Sequence, residues 1–288
     1  SKNQDIFINR WRRDYLSTPY GQFIYIKDMD NNIWSTTYAP VYKEPDIYDV
    51  EFSNYKATFY RKDGQIESKM DIYLLPEELG EIRRVILKNN GDNDVILETT
   101  SYFEITGSTF ESDLAHTAFN NLFIKTEVLE EEYGLLSHRR KKGDGLEDCW
   151  IVHGIKNFDE EEKNFKYETS RSNFVSRGNS LKKPKGMLKG LTNTVGVVLD
   201  PIMSLNTKIK LQPKEEKEVY FITALTNSRQ EAIDILDKYS TKDNIKMALD
   251  LSRTKSQTEI GYLNLNHQDI EFYEELLPYL FYIDKNIK

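Results

Sequence analysis

The segment Arg10-Trp11-Arg12-Arg13-Asp14 places three guanidinium groups, an indole and a carboxylate within five residues. A guanidinium forks two hydrogen bonds onto a phosphate or a pair of vicinal hydroxyls, and an indole offers a flat apolar face. The same residue types also make an ion-paired domain contact with Trp11 packed beneath it, so the segment by itself leaves both readings open. In an extended strand Arg10, Arg12 and Asp14 share one face and Trp11 and Arg13 the other, so all five cannot serve one pocket. A second set is Glu168-Thr-Ser-Arg171, followed by Arg177-Gly178. Arg171 and Arg177 could clamp a loop against a neighbouring domain or reach the mouth of its site, and Gly178 admits a close backbone approach. A structural loop lock would use the same residues.

Asp113 and His116 stand in a loop-like stretch with Phe119 and Phe123, and Asp-x-x-His is an acid/base or metal pattern of low specificity. The other histidines, His138, His153 and His267, show no zinc spacing, so no metal and no cofactor is expected. Asp28-x-Asp30-x-Asn32 opens like a calcium loop. It has Ile33 where the turn glycine belongs and Ala39 where the bidentate glutamate belongs, so a hairpin turn is expected. Cys149 beside Trp150 reads as a small buried core residue. Glycosidic chemistry needs two groups held at a fixed separation. The runs Glu130–Glu132 and Glu160–Glu162 read as solvated strand or loop ends and do not supply that.

Residues of this kind need elements to hold them. Period-two alternation runs through residues 20 to 224. Ile66, Met70, Ile72 and Leu74 share one strand face, and Glu67, Lys69, Asp71 and Tyr73 share the other. Val95 to Ile105 and Val219 to Thr223 repeat the pattern. Asn31-Asn32, Asp63-Gly64, Asn90-Gly91 and Pro213-Lys214 are turn signals between the runs. Short strands joined by turns predict antiparallel sheets stacked as a sandwich. Loop-like stretches are expected at about 107–121 and 176–193. From Ser228 the period changes. Ser228 with Glu231 predicts a capping box, a second helix follows from Thr241 to about Tyr262, and a third follows Asn266, with Pro278 kinking or ending it.

The net charge of −8 argues against nucleic-acid binding. The local runs Arg139-Arg140-Lys141-Lys142 and Lys182-Lys183-Pro184-Lys185 read as solvated loops. No apolar run is long enough to span a membrane, and no leader is visible. A single cysteine excludes an internal disulfide and suits a reducing compartment. Tyrosine is frequent, at 18, which fits both half-buried sheet faces and carbohydrate recognition and so does not choose between them.

Four segments carry a resemblance. They are Asn9-Arg-Trp-Arg-Arg-Asp14 with Tyr20–Asp28 and Ile33–Thr37, then Asp113–Phe123, Glu168–Gly178 and Gly196–Leu205. In this order the chain resembles the non-catalytic sandwich domain of family 94 glycoside phosphorylases, and more closely the related modules of cyclic β-1,2-glucan synthases. The resemblance implies a mainly β, galactose mutarotase-like supersandwich over residues 1–227, with its first strand missing. A helical linker over 228–288 would then lead to an (α/α)6 barrel that carries the catalytic carboxylate. It places no catalytic residue in this chain. It implies a domain inactive alone that supports the barrel and forms one wall of its sugar cleft. A glucan or other carbohydrate and the barrel are the implied partners, a homodimer is allowed, and the location is cytoplasmic. The candidate carbohydrate or interface residues are Arg10, Trp11, Arg12, Asp14, Asp113, His116, Arg171, Arg177 and Gly178. A stand-alone β-glucan-binding module remains an alternative. So does a mutarotase-like epimerase using Asp113, Glu168 and His116.

Overall fold

The computed structural model describes residues 2–3, 6–12, 19–140, 148–158 and 165–281. Alternating side chains and polar turns produce fifteen described strands. The first nine are β1 (Lys2–Asn3), β2 (Ile6–Asn9), β3 (Phe23–Asp28), β4 (Ile33–Ser35), β5 (Ile47–Ser53), β6 (Lys56–Asp63), β7 (Ile66–Leu74), β8 (Gly80–Asn89) and β9 (Val95–Ser108). Two short helices follow, α1 (Phe110–Ala115) and α2 (Thr117–Asn121), then β10 (Ile124–Leu129), β11 (Gly134–Arg139), β12 (Cys149–Lys156) and β13 (Lys166–Ser170). Next come α3 (Arg171–Phe174), α4 (Lys185–Lys189), β14 (Pro201–Leu211) and β15 (Glu216–Thr226). The helices α5 (Arg229–Lys238), α6 (Lys242–Tyr262) and α7 (His267–Phe281) complete the described fold.

The strands form two open antiparallel sheets. One runs β10-β11-β12-β15-β8-β7-β6-β5, and the other is built around β9, with β14 and β13 on one side and β3–β4 and β2–β1 sharing the other. Ile24, Leu97, Phe103 and Leu205 from the smaller sheet meet Met70, Val85, Leu135 and Phe221 from the larger one to form the central core. This is the expected sandwich. Asp28 closes the β3–β4 hairpin by accepting from the Asp30 and Asn32 amides at 3.0 and 2.8 Å, so the calcium-like pattern is a turn.

Two further apolar clusters lie outside the sandwich. Ile235, Leu236 and Tyr239 of α5 and Ile245 and Ala248 of α6 cover Tyr220, Ile222 and Ala224 on the outer face of the larger sheet. β15 is therefore buried on both faces, although its sequence alternates. The same cover corrects the expectation for β7. Asp71 and Tyr73, assigned to a polar face, are buried, while Leu74 is 70% exposed. Asp71 is tolerated because Thr58 Oγ1 donates to it at 2.7 Å and Lys56 Nζ lies at 3.4 Å. On the other side, Phe174 of α3 and Met187 of α4 pack on Tyr25 and Tyr102 of the smaller sheet.

Other expectations need adjustment. The stretch at 107–121 is mostly helical, since Thr109 caps α1 by accepting from the Ser112 amide. The stretch at 176–193 contains α4. Ser228 caps α5 as expected, but the Glu231 carboxylate reaches the amide of Asn227, one residue before the cap. Helix α7 continues through Pro278 to Phe281, because a missing amide donor removes one bond of the ladder without dissolving the turns around it.

The helical cover is fitted to the sheet at one point. Gly134 and Gly154 are cross-strand partners on β11 and β12. A Cβ on Gly154 would stand 2.5 Å from Leu236 Cδ2, and one on Gly134 would stand 2.6 Å from Leu236 Cδ1. Leu236 thus occupies the hollow left by two missing side chains. Gly154→Ala should destabilise the chain by about 1–3 kcal/mol through overpacking. In urea unfolding, Leu236→Ala should relieve part of that loss, so the double variant loses less than the sum of the singles. Strict additivity would argue against this contact.

Candidate functional site

Strand β2 ends at Asn9, so Arg10 and Arg12 leave the sheet instead of alternating across it. They nevertheless reach one carboxylate. Arg10, 5% exposed, donates from Nε and Nη2 to the two oxygens of Asp113, both at 3.1 Å. Its Nη1 meets Glu104 Oε2 at 2.6 Å, and Nη2 also reaches Asn121 Oδ1 at 2.8 Å. Arg12 Nη2 lies 2.5 Å from Asp113 Oδ2 and donates to Thr117 Oγ1 at 3.0 Å. At the other oxygen of the same carboxylate, Arg171 Nε donates to Glu104 Oε1 at 2.8 Å, and the Tyr102 hydroxyl donates to that oxygen at 3.1 Å. Asn121 Nδ2 then donates to Asp200 Oδ1 at 3.1 Å. One ionic network therefore ties β2, β9, the α1–α2 pair, the start of α3 and the approach to β14.

Burial by itself would lower the Arg10 pKa, but the hydrogen bonds to Asp113 and the charges of Glu104 and Asp113 outweigh it and raise the pKa. Arg171 behaves alike, with desolvation opposed chiefly by Tyr102 and Glu104. Such a network orients loops. It offers no free acid or base, because each carboxylate is held by fixed donors.

Four of the proposed residues thus converge: Arg10, Arg12, Asp113 and Arg171. Trp11 packs instead, with its ring 5.9 Å from that of Phe110. Asp14 lies outside the described residues. His116 and Arg177 are exposed and stand apart from this network. Gly178 has φ +77° and nothing within 4 Å of a Cβ placed there, so the glycine serves a left-handed turn and not the close approach expected of it. Glu168 accepts from the amides of Thr169 and Ser170 at 3.1 and 2.9 Å and also bonds Thr192, which makes it a loop lock. Arg139 departs from the solvated-loop reading. Its guanidinium donates to Asn120 Oδ1 at 2.7 Å and to the Thr106 carbonyl at 3.2 Å. Lys141 and Lys142 lie outside the described residues.

Glu104 and Asn121 were missed in the sequence. The available signal was a lone carboxylate within the apolar run Tyr102-Phe103-Glu104-Ile105, where a charge needs partners. His153 was also passed over. It is fully buried between the sheets, with Nε2 2.8 Å from Ser101 Oγ and Nδ1 2.9 Å from Thr223 Oγ1. Burial, helped by the nearby Arg83 charge, pushes its pKa down to about 3. Burial also pushes the Cys149 thiol up to about 11, which leaves it un-ionised at neutral pH. Among the described residues no group of three or more His, Cys, Asp or Glu could hold a metal, and no helix is long and apolar enough to cross a membrane.

The profile of the glycosyl hydrolase 94 supersandwich domain matches residues 1–242. The chain belongs to that family. This supersandwich domain is also 26% identical over 284 residues to the cyclic beta-(1,2)-glucan synthase NdvB of Rhizobium meliloti (strain 1021). The match covers 98% of this chain and 10% of NdvB, so the domain spans about a tenth of that relative. Among solved structures it is similar to a bacterial glucoamylase complexed with acarbose, at TM-score 0.45 and 12% identity, covering 81% of this chain and 31% of that one. It is also similar to a family GH92 inverting mannosidase of Bacteroides thetaiotaomicron, at TM-score 0.40 and 8% identity, covering 80% and 25%. The family match and the alignment to part of a glucan synthase relate this module to carbohydrate-active proteins, without assigning it a reaction.

Two outcomes follow for this domain. Arg10→Met leaves Glu104 and Asp113 buried without their shared cation and should cost about 3–5 kcal/mol in chemical denaturation. His116→Ala and Arg177→Ala should each stay within about 0.5 kcal/mol of the parent. Equal losses at all three positions would contradict the network. The second outcome concerns pH. His153 binds a proton in the unfolded chain near its ordinary pKa of 6.5 but in the fold only near 3. Its contribution to stability is therefore complete above pH 6.5 and is lost as pH falls toward 3, at up to about 1.4 kcal/mol per pH unit. His153→Gln should flatten unfolding free energy against pH in that window, and an unchanged slope would show that the histidine is not held neutral.

Proposed function

We propose that this supersandwich domain braces the catalytic domain of a larger glycan-synthesising or glycan-phosphorolysing enzyme and forms one wall of its sugar cleft. The observation that carries the reading is an apolar rim set directly on the ionic network. Leu114 and Phe119 stand on α1 and α2 at 56% and 54% exposure, and Val197 and Leu199 stand on the neighbouring segment at 70% and 79%. That segment is tied at both ends, by the Thr126–Gly196 backbone pair and by the Asn121–Asp200 bond. Exposed apolar side chains presented by a fixed backbone favour contact with another protein surface over solvent. The acid groups beneath are committed to arginines, which suits support and not bond cleavage.

In this reading residues 1–227 are the sandwich and 228–288 lead into an (α/α)6 catalytic barrel. The site lies on the cytoplasmic side of the membrane, and the ligand is a glucan, as the name of NdvB suggests for that relative. The test uses the longest natural polypeptide that contains these residues. Val197→Asp with Leu199→Asp should leave the thermal transition of the isolated domain within a few degrees. In the long polypeptide it should lower glucan synthesis or phosphorolysis by at least about tenfold, corresponding to the loss of two buried side chains at an interface. Full activity in the double variant would rule out this face as the contact.

A further inference from the structure

A second surface lies on the β4–β5 crossover between the two sheets, residues 36–46, and on the edge strand β5. Tyr38, Tyr42 and Tyr48 gather there, each a little over one third exposed, at 37%, 38% and 37%. The Tyr38 ring centre is 5.6 Å from that of Tyr42, at an 84° angle, and 6.5 Å from that of Tyr48. The group is held in place before any ligand arrives. The Tyr38 hydroxyl donates to Glu44 Oε1 at 2.5 Å, and the Tyr38 amide donates to the Tyr48 hydroxyl at 3.3 Å. The Tyr42 amide donates to the Tyr38 carbonyl at 2.8 Å.

Three features separate this patch from ordinary surface tyrosine. Tyr42 has φ +57°, a left-handed conformation that glycine or asparagine would adopt at lower cost. Bulky residues held there concentrate at ligand sites. The rim carries both kinds of hydrogen-bonding group: Glu44 accepts, while Lys182, with Nζ 5.0 Å from the Tyr42 ring centre, donates. Directly across the strands from Tyr48 stands Arg61. Its side chain is fully buried and pinned by Asp63, yet Nη1 has no hydrogen-bond partner among the described residues.

We propose that Tyr38, Tyr42 and Tyr48 form a stacking platform for a neutral gluco-oligosaccharide, separate from the arginine network. The inference rests on the carbohydrate reading given above and assigns it a location. A pyranose ring presents a face of C–H bonds and a rim of hydroxyls. The C–H face suits the electron-rich face of tyrosine, and the hydroxyls suit a carboxylate acceptor beside an ammonium donor. A protein partner would instead favour aliphatic side chains, as on the rim near Leu199. An anionic ligand would have to approach Glu44.

The domain can be labelled with 3-fluorotyrosine and titrated with β-1,2-linked gluco-oligosaccharides into the millimolar range. Fluorine resonances of the three tyrosines, assigned through Tyr→Phe variants, should shift together and saturate. Tyr42→Ala and Tyr48→Ala should each weaken binding by about tenfold, and Tyr262→Ala, at a remote exposed position, should leave it unchanged. Binding that survives both substitutions would place the sugar elsewhere, overturning the platform while the carbohydrate reading stands. A wild-type domain whose spectra do not respond to the sugar would reject the platform, whereas the bracing role stands or falls on the Val197 and Leu199 variants. Shifts that depend on protein concentration and not on sugar would make the patch a self-association surface and also overturn the proposal.

Discussion

A guanidinium taken out of water keeps its charge, so every one of its donors must be met, and at Arg10 they are met by residues from distant parts of the chain. Glu104 comes from the longest strand, Asp113 from the first short helix and Asn121 from the second. No two of these elements would hold this geometry alone, because the cost of an unpaired buried charge falls on whichever partner is left. The position of α1 and α2 follows from this constraint. So does the position of the segment before β14, through Asn121 and Asp200. Arg171 extends the constraint to α3, whose Phe174 packs over Tyr25 and Tyr102.

The rest of the sandwich is more ordinary in its physics but arranged in an uneven way. The larger sheet is covered on its outer face by α5 and α6, so it lies between two apolar layers. Burial on both faces explains how an un-ionised histidine can sit between the sheets. Ser101 and Thr223 satisfy both ring nitrogens, and Phe103 and Phe221 flank the ring. A catalytic histidine would need a route for protons and a substrate beside it, and this one has hydroxyls and hydrocarbon. The tyrosine group stands on the first of the crossovers that join the two sheets, between β4 and β5.

The two surfaces described above differ in how their polar and apolar groups are layered. Charged groups are concentrated below the surface at the β2–β9–β13 end, where they set the backbone. The surface above them is apolar. At the crossover the opposite holds, with aromatic rings outermost and polar groups around them. Under the readings proposed above, the first surface meets another protein and the second a ligand with hydroxyls.

Much of this was legible in the residue order. Alternation from Tyr20 to Thr223, with its turn glycines and asparagines, determined two-layer antiparallel β structure, because side-chain direction in a strand is a local property. The caps at Ser228 and Thr241 fixed where α5 and α6 begin for the same local reason. Arg10, Arg12, Asp113 and Arg171 could be singled out as side chains in need of partners. Their pairing could not be read, since Arg10 and Asp113 are separated by 103 positions and meet only after two sheets and two short helices are in place. Nor could the burial of Asp71, the neutrality of His153 or the hollow at Gly134 and Gly154, because each depends on what packs over it. A sequence states which face a side chain takes, and only the assembled layers decide whether that face meets water, hydrocarbon or an opposite charge.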